Sequence, residues 1–295
     1  MKPTVRIRIR TGVWFTGLLA ALVFTSSCGR LSEGPPTDVV LSAASDTTVR
    51  ISWTAPAGGV PDSYVVAFME TGTSTWQDFG TATDSAVKAD HNPLGRTGRY
   101  RVTAIYGGAS YPATDAPSSA PVHTGAAVVG ELNSLSYSGY GWNRDSGAGA
   151  VFTMSYASNA DRVDFYVTDW ATGFAGPAYS IASPDWGAYE PGGSGFVPVG
   201  RWRATGFSSL SSGGQAPLPH FNSGIYGDYL ELNPDSTLAA VVCTDTIVTA
   251  DTTDTFVTVS RHYALVKLGS PDAVSGTVQV ETWFQAIRDL RLIQH

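Results

Sequence analysis

From Pro35 onward, apolar residues alternate with polar ones in short runs and hardly anywhere recur at helical spacing. In "VRISWTAP", Val49, Ile51 and Trp53 fall on one face of a strand, because successive side chains of extended backbone point to opposite sides. The turn sequence "GGVP" comes next, and then the alternation returns at Tyr64, Val66 and Phe68. It returns again at Tyr100, Val102 and Ala104 in "GRYRVTAIYGG", where the glycines end the run. Alternation of this kind predicts antiparallel strands with one buried and one wetted face.

The later part of the chain repeats the theme with longer apolar runs. Strands are predicted in "GAVFTMSY" (149–156), "RVDFYVTDW" (162–170), "YLELNPDSTLAAVVC" (229–243), "TFVTVSRHYALVKL" (255–268) and "GTVQVETWFQAI" (276–287). "NPDST" reads as a hairpin turn between two of them, and "GSPDAVSG" joins two more in the same manner. "TDTIVTADTTDTF" reads as a strand pair with a polar tip. The only stretch open to a helical reading is "TWFQAIRDLRLI", and its β-branched neighbours favour strand. The Gly/Pro-rich residues 172–200 predict long surface loops. The fold class is therefore all-β. A sandwich over residues 35–124 is followed by a second antiparallel β-sandwich or jelly-roll-like domain over residues 125–295.

Residues 35–124 resemble a fibronectin type III domain. Val49, Ile51, Trp53 and Pro56 match its second strand, with Trp53 as the core tryptophan. Tyr64, Val66 and Phe68 match the third, and residues 100–104 the sixth. The resemblance implies a seven-stranded immunoglobulin-like sandwich whose last strand lies in "DAPSSAPVH" (115–123), acting as a spacer or interaction module. It also places Gly98 where the corner tyrosine usually stands, so either that hydrogen bond is missing or Tyr100 serves it. Residues 125–295 resemble no family.

The first 34 residues read differently. Lys2, Arg6, Arg8 and Arg10 precede 17 uncharged residues, Thr11 to Ser27, built around "LLAALVF". That run is short for a bilayer-spanning helix and has the layout of an export signal ending in small residues. "FTSSC" resembles a bacterial lipobox, which implies cleavage after residue 27, acylation of Cys28 and a tether over residues 28–34. With Gly29 after the cysteine, the resemblance implies anchoring in a lipid bilayer at the outer membrane or cell surface.

Charge narrows the partners. Residues 1–27 hold four of the 18 basic residues and none of the 25 acidic ones, leaving the remainder at a net charge of about −11. Nucleic-acid binders carry a basic footprint, so nucleic acid is excluded as the expected partner. An envelope or extracellular protein, or a glycan, is expected instead. An acylated Cys28 leaves Cys243 unpaired, and its apolar surroundings in "LAAVVCTDTIV" predict a small buried hydrophobe.

Catalytic signatures are sparse, and no catalytic residue is assigned. The sequence has no His-Glu-x-x-His, no Cys-x-x-Cys and no nucleophile elbow. His262 would need a nucleophile beside it to act as a base, and Asp185, Glu190 and Glu281 would need to face one another across a cleft to hydrolyse a glycoside. No cofactor is expected. Calcium is the one metal considered, because Asp245, Asp251 and Asp254 cluster in a Thr-rich hairpin. For a glycan partner, the candidates are Trp142 and Trp186 with Tyr140 and Tyr189, whose polar and glycine flanks favour exposure of their rings.

Overall fold

The computed structural model describes residues 33–83, 86–132, 134, 137–169, 179–186, 202–211, 217–233, 235–250 and 255–295. They form two β-sandwiches in succession. In the first, a sheet of β1 (Thr37–Ser45), β2 (Thr48–Thr54) and β5 (Lys88–His91) faces a second sheet. That second sheet has the order β4-β3-β6-β7, with β3 at Ser63–Glu70, β4 at Gln77–Thr83, β6 at Gly98–Tyr106 and β7 at Ala109–Pro112. The seven strands pair antiparallel. The alternating residues read from the sequence form the core: Val49, Ile51, Tyr64, Val66, Tyr100, Val102 and Ala104 are fully buried, and Trp53 and Phe68 nearly so.

Gly98 is demanded by close packing. A Cβ there would fall onto the Met69 carbonyl oxygen and come within 2.8 Å of the Phe68 ring. The Tyr100 hydroxyl meets Nδ1 of His91 at 3.2 Å. The last strand departs from the expectation over residues 115–123. β7 ends at Pro112, Ser118 makes a single bridge to Arg99, and Val122 already begins β8 (Val122–Gly130) in the next sandwich.

His91 lies against Phe79, their rings 4.0 Å apart at 16°, with Phe68 and Tyr100 close by. Burial, aided by Arg96, pushes its pKa down to about 4. Burial also lowers the pKa of His262. Unfolded histidines titrate at about 6.5, so between about pH 6.5 and 4 the unfolded chain binds more protons and stability is lost as the pH is lowered. For the partly exposed His91, about 1–2 kcal/mol should be lost over that window. Urea midpoints at pH 7.5, 5.5 and 4.5 should show this fall, and His91→Gln should flatten it. An unchanged slope would mean that His91 is solvated.

The second sandwich has two five-stranded sheets. One runs β10-β9-β11-β12-β14, with β9 at Gly139–Trp142, β10 at Gly149–Phe152, β11 at Phe165–Thr168, β12 at Ser180–Ala182 and β14 at Tyr229–Glu231. The other runs β13-β15-β16-β17-β8, with β13 at Ala204–Ser209, β15 at Ser236–Ala250, β16 at Thr255–Gly269 and β17 at Thr277–Phe284. β15 and β16 pair without interruption from Ser236↔Gly269 to Ala250↔Thr255, which is the strand pair read from the Thr-rich stretch.

Three expectations are corrected. The "NPDST" stretch is no hairpin, since β14 pairs with β12 while β15 pairs with β13 and β16. Leu232 turns into the core after the three-residue β14 and carries the chain across to the other sheet. Residues 172–200 contain a buried strand, β12. Finally, the strand predicted through "TWFQAIRDLRLI" stops at Phe284.

Beyond Phe284 the chain becomes a strap with no regular structure, reaching back to the first sandwich. Asp289, at φ 59°, turns the chain, its backbone N–H donating to the Arg261 carbonyl and its Oδ1 accepting from the Arg261 N–H. Aspartate tolerates this left-handed conformation better than most residues. After the turn, Leu290 and Leu292 are fully buried in the core of the first sandwich. Ile293 enters a cluster on the outer face of β15 and β16, beside Tyr263 and Leu265. Arg291 donates to Asp46 at 2.7 Å and to the Leu218 carbonyl at 2.6 Å.

Candidate functional site

The richest gathering of ionisable side chains lies at one end of the second sandwich, where Asp164, just before β11, is fully buried. Its carboxylate accepts from Arg144 Nη2 at 2.6 Å and Nη1 at 3.0 Å, from Arg203 Nη1 at 3.2 Å, and from the Trp142 backbone N–H at 2.8 Å. Arg144 also donates to both oxygens of Asp245, at 2.8 and 3.0 Å. Burial opposes the Arg144 charge, but the Asp164 and Asp245 carboxylates outweigh it and keep the guanidinium protonated. Such pairing is what a buried charge requires, since an unpaired one is costly in a low-dielectric interior.

Cys243 and His262 sit side by side on β15 and β16 facing this cluster. The thiol is fully buried, and burial together with Asp164 pushes its pKa well up, so it is not a thiolate. His262 packs parallel to Phe284, ring centroids 5.2 Å apart, and its Nδ1 lies 3.0 Å from the Gln285 carbonyl. That bond assigns the proton to Nδ1. Nε2 then points, without a hydrogen bond, toward Asp245 Oδ2 at 3.8 Å. A buried neutral imidazole beside a protonated thiol is packed as core and poorly placed to exchange protons with a substrate.

Above the cluster is a cavity of about 470 Å³ lined by Arg144, Arg162 and Arg203 with Trp142. A second, of about 630 Å³, lies on the outer face of β15–β17.

The residues singled out from the sequence are dispersed over the molecule. Trp142 and Tyr140 belong to the core: Trp142 is 2% exposed, stacks on Phe284 and donates from Nε1 to Thr282 at 3.1 Å. Tyr140 is fully buried, its hydroxyl 3.1 Å from the same Thr282 oxygen. Neither offers a ring face to a sugar. Trp186 is half-buried and stacks on Tyr229 with centroids 5.2 Å apart. Asp245 is committed to Arg144, so it is no free calcium ligand, and no group of three metal-ligating side chains occurs among the described residues. Asp185 accepts from Ser183 at the end of β12, whereas Glu281 projects from the outer face of the opposite sheet. They do not share a cleft. Cys28, Tyr189, Glu190, Asp251 and Asp254 lie outside the described residues.

Arg144, Asp164 and Arg203 were missed by sequence reasoning. One signal was present: Asp164 interrupts "RVDFYV", a run that is buried on both faces from Val163 to Thr168, where a charge needs a partner.

No family model and no curated protein matches the chain. Among solved structures, the crystal structure of a fibronectin type III domain of human collagen XX is similar over 30% of this chain and 92% of its own, at 22% identity and a TM-score of 0.26. Solution structures of the human collagen alpha-1(XX) domain give 25% identity and a TM-score of 0.24, over 30% and 82% of the two chains. A computer-redesigned β-sandwich protein gives 19% identity and a TM-score of 0.24, over 30% and 90%. The first sandwich is defined by its own strand order and core.

Proposed function

We propose that the chain is a bacterial surface lipoprotein with a non-catalytic binding or scaffold role, held to the outer membrane or cell surface through an acylated Cys28. The first sandwich acts as spacer or interaction module, and the partner is an envelope or extracellular protein or a glycan. The observation carrying the non-catalytic reading is the mutual saturation of Arg144, Asp164, Asp245 and Arg203, behind which Cys243 and His262 are held inert. Support for the anchor comes from the basic start, the short apolar core and the small residues before Cys28.

Labelling with radioactive palmitate and partitioning in Triton X-114, in a bacterium expressing the whole chain, tests the anchor. The wild type should take up label and enter the detergent phase. Cys28→Ala should remain unlabelled and aqueous. An unlabelled wild type would overturn the anchor.

A further inference from the structure

The larger cavity is a groove across the outer face of the second sandwich, and no side chain in it is needed for the buried charge cluster. Leu238, Lys267 and Glu281 lie side by side across three strands and form its floor, by the pairings Leu238↔Lys267 and Lys267↔Glu281. Trp283, next on the same face of β17, lines it, and Asn233 and Ser236 close the far end. Residues 209–211 and His295, whose ring lies 5.2 Å from that of Trp283 at 60°, also line the groove.

The chemistry of the groove is specific. The Lys267 ammonium and the Glu281 carboxylate are 3.6 Å apart and offset each other's charge. Glu281 is fixed on its other side by His123 Nε2 at 2.9 Å, and that imidazole stacks on Trp283 with centroids 4.9 Å apart at 21°. A half-buried indole is thereby held rigid beside an acceptor, a donor, an amide and hydroxyls. A ring with an apolar C–H face and a rim of hydroxyls, each able to donate and accept, matches that set. The cavity, at about 630 Å³, lies within the range of small-molecule sites.

We infer that this groove binds a neutral saccharide, stacked against Trp283 and hydrogen-bonded by Glu281, Lys267 and Asn233. The inference rests on reading the protein as a binding module and names its ligand class.

The test is an array of neutral and acidic glycans probed with the full chain in detergent, followed by calorimetric titration of the best neutral hit. One site per chain is expected. Glu281→Gln and Lys267→Met should each weaken binding by about tenfold or more, the scale of a lost hydrogen bond to a charged group. Trp283→Ala should abolish it, while Arg162→Gln at the other cavity should leave it unchanged. Both groove charges are partly in solvent, so those two variants remain readable if Trp283→Ala fails to fold. A blank array, binding unaffected by Glu281→Gln and Lys267→Met, or hits confined to acidic glycans would each overturn the proposal. Palmitate labelling of the wild type, run in parallel, separates the two readings: an unlabelled wild type that still binds sugar removes only the anchor, and a labelled one that binds none removes only the groove.

Discussion

Replacing Asp164 with alanine is expected to lower the unfolding free energy by about 3–5 kcal/mol, the range for breaking a buried ion pair from one side. The carboxylate is fully buried and takes four of its hydrogen bonds from two arginines and one from the backbone of Trp142. Without it, Arg144 keeps only Asp245, and Arg203 loses its ion-pair partner within the cluster. Asp164→Asn preserves the volume but turns an amide N–H toward a guanidinium, so it should be nearly as damaging. Arg203→Ala should cost less, because that side chain is 20% exposed and water can replace part of what it loses. Removing the four charges together should recover much of the loss, as in Asp164→Leu with Arg144→Met, Arg203→Met and Asp245→Asn. Urea unfolding of the series decides the matter: a loss below about 1 kcal/mol in Asp164→Ala would mean that water reaches the carboxylate.

Alternation along the chain disclosed the inward-facing residues Val49, Ile51 and Trp53 of β2, Tyr64, Val66 and Phe68 of β3, and Tyr100, Val102 and Ala104 of β6. It failed where the flanking residues misrepresent burial. Trp142 in "SGYGWNRD" reads as an exposed ring on a polar loop. In the fold those polar neighbours are consumed locally: the Asn143 side chain accepts from the N–H groups of Asp145 and Ser146, and Arg144 turns inward to Asp164 and Asp245. The partners of Arg144 lie 20 and 101 positions away, so no local pattern could pair them. "NPDST" failed for another reason. Turn chemistry reports that the chain bends and leaves open which sheet it enters next. The groove around Trp283 was equally hidden, since its floor is assembled by strand register and the rest of its lining by segments distant in sequence.

Leu292→Ala, in contrast, should act at a distance in sequence. Truncating a fully buried leucine costs about 2–5 kcal/mol, and here the loss should fall on the first sandwich although the residue comes after the last strand of the second. Leu290 and Leu292 are buried in the same core cluster as Val49, Ile51, Tyr64 and Tyr100. Polar bonds hold the strap in register. Gln294 accepts from the Thr97 N–H at 3.0 Å, and Gln285 donates to the carbonyls of Ser119 and Leu292 at 3.0 and 2.8 Å. Because Ile293 packs on the opposite domain, each successive residue fastens a different sandwich, and the two should unfold as one cooperative unit. In the double variant Leu290→Ala/Leu292→Ala, that unit should divide into two transitions, the first sandwich melting earlier. Hydrogen exchange gives the direct reading: amides of β2, β3 and β6 should lose protection, while those of β15 and β16 keep most of theirs. Unchanged exchange across the first sandwich would show that its core closes without the strap. The spacer role would then need only the seven strands, and the strap would serve the second sandwich alone through Ile293.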